Sequence, residues 1–574
     1  MTENTKQPTK TEKAAKPSAV EVFKRDSKFL LDPIPQELAD GNSFFGKASI
    51  QLLKHHGSYQ QDNRDERGKD GKAYSFMVRS AIPGGKLTSA QLLAELDLCD
   101  EVGNGTLRIT TRQGLQLHGI VKSNLKQVIR RINEVQLTTL AACGDVERNV
   151  MCSPCPYKSD PVYDQMQDLA DRLAVHLRPH TGAYHEIWLT DQESGDKWLA
   201  GGGANGHEVE PIYGPTYLPR KFKIGIGIPG DNSADVYSQD LGLLAVCEDW
   251  NVVGYNVLVG GGFGMTPSAK KTFQAVANSL CYASADEVID VVTAVIKVQR
   301  DFGNRSDRKV ARMKYLIHNW GLDRFKQKVE EYHGNSLPPP RPIEVHDFND
   351  GMGWHPQGDG RWFYGLNVEN GRIKDEGSFR LKTALREIGR ELRPPMRLTP
   401  HQSILFCELE ASERPRLEEI IHRHGLQLSE EISQARRWSI ACPALPTCGL
   451  AVTESERALP GMIDQLEAEL DRLELGDEVF TTRMTGCPNG CARPYNSDIG
   501  LVGKTKGKYT IYLGGRRLGD RLNFIFKDLV PAEEVVPTLV RVFSFFKESR
   551  HEGETFGDFC HRQGVDNLLA NCDG

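Results

Sequence analysis

Short stretches of the chain alternate apolar and polar positions with a period of two, and longer stretches between them repeat every three to four residues. Early on, this pattern predicts strands over Tyr74–Ile82, Thr106–Ile109 and Leu115–Ile120, with helices over Ser89–Glu101 and Leu125–Val135. That order of elements is the one a ferredoxin-like half-sheet uses. A counterpart begins at Trp362, continues through a helix over Lys382–Leu392 and returns as a strand over Ile404–Leu409. The two half-sheets are expected to pair into one domain.

The second run is a repeat of the first. At an offset of 289 residues, Leu107-Arg-Ile-Thr-Thr-Arg-Gln113 falls on Met396-Arg-Leu-Thr-Pro-His-Gln402, with Arg, Thr and Gln in register. One residue further, Cys152-Ser-Pro154 falls on Cys442-Pro-Ala444, and Tyr255–Gly261 later resembles Tyr509–Gly515. Three matches in the same order imply an internal duplication. A larger α/β unit is expected after each half-sheet, and consecutive prolines in Asn335-Ser-Leu-Pro-Pro-Pro-Arg-Pro342 mark the joint between copies. The expected organisation is therefore α+β: a tail and wrapping segment over 1–71, half-domains over 72–140 and 343–428, and larger units over 141–342 and 429–574.

A chain of 574 residues needs several cores. Its net charge of −6 argues against general nucleic-acid binding, so any anion must be caught by a local basic patch. No apolar run approaches the ~18 residues of a membrane span. The opening stretch, Met1 to about Lys16, has no apolar segment of a secretion signal and reads as a disordered tail. With 13 scattered cysteines the chain fits a reducing, cytoplasmic setting better than a disulfide framework.

Only the second copy carries two close cysteine pairs, Cys442-Pro-Ala-Leu-Pro-Thr-Cys448 and Cys487-Pro-Asn-Gly-Cys491. Thiolates on Gly/Pro-rich loops hold zinc or an iron–sulfur cluster, and the five-residue gap of the first pair counts against zinc, whose structural sites favour C-x2-4-C. Buried free thiols are the bland alternative. The first copy supplies a dense basic set instead: Arg79, Arg108, Arg112, Arg148, and Arg220-Lys221-Phe222-Lys223. Taken alone, the last group is most simply a solvated strand face, although Lys221 and Lys223 alternate to one side of a strand with Phe222 on the other.

Thr485-Gly-Cys487-Pro-Asn-Gly-Cys491 together with Cys442-x5-Cys448 resembles the signature of the siroheme-containing sulfite and nitrite reductases, and the resemblance runs from about His56 onward. It implies a [4Fe-4S] cluster on Cys442, Cys448, Cys487 and Cys491, the last also serving as proximal ligand of the siroheme iron. It implies that Arg79, Arg148, Lys221 and Lys223 face the substrate. Arg108, Thr110, Arg112, Gln116, His118, Arg220 and Asn489 would lie near the macrocycle or its carboxylates. Gln299, Arg300, Asn304 and Arg305 are expected to continue that lining, with an ordinary helix-surface ion pair as the alternative. His118 also fits a core histidine satisfied by a backbone carbonyl.

Related nitrite reductases tend to be neutral where Lys223 stands, so Lys-Phe-Lys favours the more highly charged sulfite. Crowding by Arg79, Arg148 and its fellow lysine should lower a lysine's pKa towards neutrality. The resemblance thus implies six-electron reduction of sulfite to sulfide, with nitrite reduction as the near alternative and a zinc-bearing scaffold as the distant one. Gly201-Gly-Gly-Ala-Asn-Gly206 matches G-x-G-x-x-G but lacks a preceding apolar strand and an opening helix, so no nicotinamide or flavin site is expected. Electrons would come from another protein, an NADPH-dependent flavoprotein or a ferredoxin; the segment Tyr59–Arg67 resembles ferredoxin-dependent relatives. Cys152 and Cys155 read as loop thiols.

Overall fold

The computed structural model describes residues 16–69, 71–191, 194–202 and 209–572. The expected N-terminal tail and most of the Gly201–Gly206 run lie outside them.

Four five-stranded sheets form two matched pairs, and this is the duplication in three dimensions. The first sheet runs Ser58–Asp62, Tyr74–Arg79, Leu115–Ile120, Leu107–Ile109, then Arg372–Ile373 from the second copy. The third sheet repeats that order with Gly353–Pro356, Trp362–Leu366, Ile404–Leu409 and Met396–Leu398, then takes Lys86–Leu87 from the first copy. Each half-domain therefore lends the other an edge strand, through the registers Arg372↔Arg108 and Met396↔Leu87. Such an exchange covers two edges that would otherwise expose unpaired backbone groups.

The repeated Arg-x-Thr…Gln pattern has a structural cause. Thr110 Oγ1 accepts from the N–H of Arg112 and Gly114, and Thr399 Oγ1 accepts from His401 and Ser403, closing the same turn twice. Gln113 and Gln402 sit at φ +54° and +64° in those turns. Their buried side chains fasten half-domain to larger unit: Gln113 accepts from Cys152 N–H, and Gln402 from Ala441 N–H.

In the larger units, Ser439–Ala441, Thr482–Thr485 and Ile499–Thr505 are mutually parallel neighbours, and in the first copy so are Met151–Cys152, Ile224–Gly227 and Leu241–Glu248. The helices Ser89–Glu101 and Leu125–Glu134 fall where periodicity puts them, the first with a capping box between Thr88 and Gln91. One apolar core runs through the first large unit and both half-domains, and a second occupies Ala435–Cys572. Contrary to the sequence expectation, a strand does precede the glycine run: Lys197–Gly202 pairs antiparallel with Glu186–Thr190. It forms a two-stranded ribbon outside the sheets, not the first strand of a dinucleotide fold.

Candidate active site

Parallel strands deliver their following loops to one edge of a sheet, and that edge gathers the cysteines. Ala441 stands opposite Met484, so Cys442 and the Gly486–Cys491 loop leave the sheet side by side. Cys442 N–H donates to Met484 O at 3.2 Å, and Gly486 N–H points at Cys442 Sγ at 3.4 Å. Asn489 Nδ2 donates to Cys487 Sγ at 3.5 Å. N–H groups aimed at sulfur stabilise thiolates.

The first copy pins these loops. Thr111 Oγ1 donates to Cys491 O at 3.0 Å, Met265 N–H to Pro488 O at 3.2 Å, and Arg493 Nη1 to Thr111 O at 2.8 Å. Arg64 holds the other loop, donating to Ala451 O at 2.8 Å and Cys448 O at 3.2 Å.

All four cysteines line one cavity of about 490 Å³. Its wall carries Lys54, Arg79, Arg108, Arg148, Arg220, Lys221 and Arg308 against a single carboxylate, Asp145. A cavity with that imbalance in an acidic protein is built for a polyanion. Two of the cations are already engaged: Arg108 donates to Glu456 across the copies, and Arg308 Nη1 to Asp145 at 2.7 Å. The others remain available in part. Arg79 donates to Gln116 Oε1 at 2.6 Å, and Arg148 to Gly144 O at 3.1 Å.

The ammonium groups of Lys221 and Lys223 have no hydrogen-bond or ion-pair partner among the described residues. Burial, then Arg148, Arg220 and Arg312, brings Lys221 down to about 7. Burial with Arg112, Lys221 and Arg312 holds Lys223 well below the lysine range. The lowering expected from sequence is thus present, but burial leads it and Arg79 is not among its causes. Lys223 lies beside the cavity instead of on its wall, within reach of the charge of Lys221 and Cys491.

His118 is buried and satisfied, although by side-chain amides and not by a backbone carbonyl. Its Nδ1 donates to Gln61 Oε1 at 3.0 Å while the Gln116 amide donates to Nε2, a tautomer assigned from the network. Burial, then Arg108 and Arg79, keeps it neutral.

The remaining expected lining residues divide. Thr110, Gln116, Arg220 and Asn489 are on the wall. Arg112 lies behind it, donating to Gln239 Oε1 at 2.7 Å and Asn149 O at 2.6 Å. Gln299, Arg300, Asn304 and Arg305 are not at this cavity, which corrects the sequence expectation. Gln299 Nε2 donates to Ala311 O, Arg300 pairs with Asp301, Asn304 Oδ1 closes a turn at Ser306 and Asp307, and Arg305 pairs with Glu21. The ion-pair alternative describes Arg300 and Arg305. Sequence reasoning missed Lys54, Asp145 and Arg308, which lie in stretches with no motif to mark them, and it read Tyr59 only as the start of a donor-related segment, not as part of this cavity.

The donor set fits a cluster. Burial pushes the Cys487 thiol up to about 12 and holds the Cys442 thiol well above its ordinary value, and each is raised further by Cys491. Thiolates so placed need a metal's positive charge nearby. Four thiols lining one cavity suit a polynuclear centre.

Residues 169–337 and 432–574 match the nitrite and sulphite reductase 4Fe-4S domain, and residues 67–135 and 355–424 match the nitrite/sulfite reductase ferredoxin-like half domain. The chain belongs to the nitrite and sulfite reductase family. It is 45% identical to the sulfite reductase (ferredoxin) of Synechococcus elongatus, over 96% of this chain and 90% of that one. It is equally 45% identical to the sulfite reductase (NADPH) hemoprotein beta-component of Staphylococcus saprophyticus, over 97% of each. The solved structure of Mycobacterium tuberculosis NirA superposes with a TM-score of 0.77 at 25% identity, covering 96% of this chain and 98% of that one. Among the described residues no helix is long and apolar enough to cross a membrane.

Proposed function

We propose that this chain is the hemoprotein of an assimilatory sulfite reductase, converting sulfite to sulfide for cysteine synthesis. One observation carries the reading: four thiols and seven cationic side chains line a single cavity. Cys442, Cys448, Cys487 and Cys491 would hold a [4Fe-4S] cluster, Cys491 also reaching the siroheme iron, and the arginines would pair with siroheme carboxylates. Bound there, the two groups supply single electrons and an iron that takes the substrate.

The chain's own residues then orient and protonate. Arg79, Arg148 and Lys221 hold sulfite oxygens, which carry more charge than those of nitrite. Lys221, poised at about 7, can give a proton at neutral pH and recover it. Lys223 adds a second donor beside it. Arg108, Thr110, Arg112, Gln116, His118, Arg220 and Asn489 would steady the macrocycle, directly from the wall or, for Arg112, from behind it.

The five domain segments read from the sequence stand with this proposal. Electrons come from a separate protein, a ferredoxin or an NADPH-dependent flavoprotein, and turnover with each donor in turn decides which. Catalytic efficiency for sulfite and nitrite, measured with a reduced viologen, tests the substrate. Sulfite should be preferred; a preference for nitrite would replace this reading with its near alternative.

A further inference from the structure

The outer side of the Cys448 loop is held by an arginine from the other copy. Between the strands Ser58–Asp62 and Tyr74–Arg79 the chain turns at Asn63, whose Oδ1 accepts from Asp65 N–H at 3.2 Å and whose carbonyl accepts from Glu66 N–H at 3.3 Å. Asparagine closes such turns readily, and this one sends Arg64 across to the second copy. There Arg64 reaches three carbonyls. Its N–H donates to Pro446 O at 3.3 Å, Nη1 to Ala451 O at 2.8 Å and Nη2 to Cys448 O at 3.2 Å. A neighbouring tie, from Arg457 Nη1 to Asp65 Oδ2 at 2.7 Å, fastens the same two segments.

These bonds fix the turn that carries Cys448. Cys448 N–H donates to Ala444 O at 2.9 Å and Ala451 N–H to Cys448 O at 3.1 Å, so the backbone coils around the cysteine. In that coil the N–H of Leu450 faces Cys448 Sγ, and a donor aimed at a ligand sulfur stabilises negative charge on it. Arg64 caps two carbonyls of the coil with a positive charge. It forms no ion pair among the described residues, whereas Arg108 and Arg308 on the cavity wall are matched by Glu456 and Asp145. Nor does Arg64 line the cavity. It grips the turn from outside, where Leu450 is 67% exposed.

We propose that Arg64 is a positioning residue for electron transfer: it fixes the Cys448 turn and, through an uncompensated charge beside that ligand, raises the reduction potential of the cluster. The inference rests on the reading that the four cysteines hold a [4Fe-4S] cluster. Reduction adds an electron to a centre whose thiolates already make it anionic, so a fixed cation on a ligand's carbonyl favours the reduced form. No bond is made or broken at Arg64. The electron arrives from the donor protein and leaves towards sulfite. A lysine in its place keeps the charge but not the fork that spans two carbonyls, and a glutamine keeps neither.

The test is a redox titration of the reconstituted enzyme, comparing wild type, Arg64→Lys and Arg64→Gln and following the paramagnetic signal of the reduced cluster. The midpoint potential should fall in the order wild type, Arg64→Lys, Arg64→Gln. The KM for sulfite with a reduced viologen should stay within about twofold, because Arg64 is not on the cavity wall. Equal potentials in all three overturn the proposal, and a lysine variant as low as the glutamine one overturns the part assigned to charge. If Arg64→Gln assembles no cluster, an Arg64→Lys enzyme with the wild-type potential still overturns it. Hydrogen exchange of the apoprotein decides the grip by itself: amides of residues 448–452 should exchange about tenfold faster in Arg64→Gln, while those of Thr482–Thr485 keep the wild-type rate. Unchanged exchange over residues 448–452 overturns the positioning role. A wild type that takes up no iron sinks the functional reading, while the exchange result still decides whether Arg64 fixes this turn.

Discussion

Lys221 sits where its charge is disfavoured, and that has consequences for both rate and stability. Its folded pKa of about 7 lies below the ~10.4 of a free lysine, so between those values the unfolded chain binds more protons. This residue's penalty is therefore full below pH 7 and fades as pH rises towards 10. Lys221→Met should raise the melting temperature of the apoprotein at pH 6 and change it little near pH 10, as thermal scans at both values would show. In the loaded enzyme Lys221→Met and Lys223→Met should each lower kcat/KM for sulfite by about 100-fold or more, and intact turnover in Lys223→Met would remove its proposed role. At this scale the sequence was legible where a motif is local, as with Cys487-Pro-Asn-Gly-Cys491. It was opaque where a partner is distant. Nothing near Arg108 announces Glu456, and nothing near Lys54 or Arg308 announces a shared cavity. Arg300 and Arg305 were misplaced because a basic residue at a helix end looks the same whether it faces a cofactor or a neighbouring acid.

Among the elements, the turn around Gln402 deserves a direct experiment, because its amide joins the second half-domain to the strand that leads into Cys442. Gln402 accepts from Ala441 N–H at 3.2 Å and donates to Asn370 O at 2.9 Å. Gln402→Ala would leave both buried backbone groups unpaired and should cost about 2–3 kcal/mol in guanidinium unfolding. The strands and helices of the half-domains were readable from periodicity, since Ser89–Glu101 and Leu115–Ile120 form over the expected spans. The strand exchange was not, because Lys86–Leu87 and Arg372–Ile373 are two residues each and too short to carry a period.

For the whole molecule, the two copies act as one body. Besides the exchanged strands, Asp235 of the first copy takes Arg483 at 3.0 Å and Arg493 at 2.7 Å from the second, and Arg108 takes Glu456. Residues 1–342 and 343–574 expressed separately should fail to show cooperative unfolding and should recover it when produced together. Glu456→Ala, which leaves Arg108 buried without its counter-charge, should cost about 3–5 kcal/mol in the full chain. This interlocking brings the cysteines of one copy against the cations of the other, and the account stands on that meeting. The most direct test is the metal content and optical spectrum of the protein purified after expression with siroheme supply. Iron and sulfide in cluster proportion, with siroheme absorption that disappears in Cys491→Ser, is the predicted result. A colourless protein holding zinc on its four cysteines would contradict it.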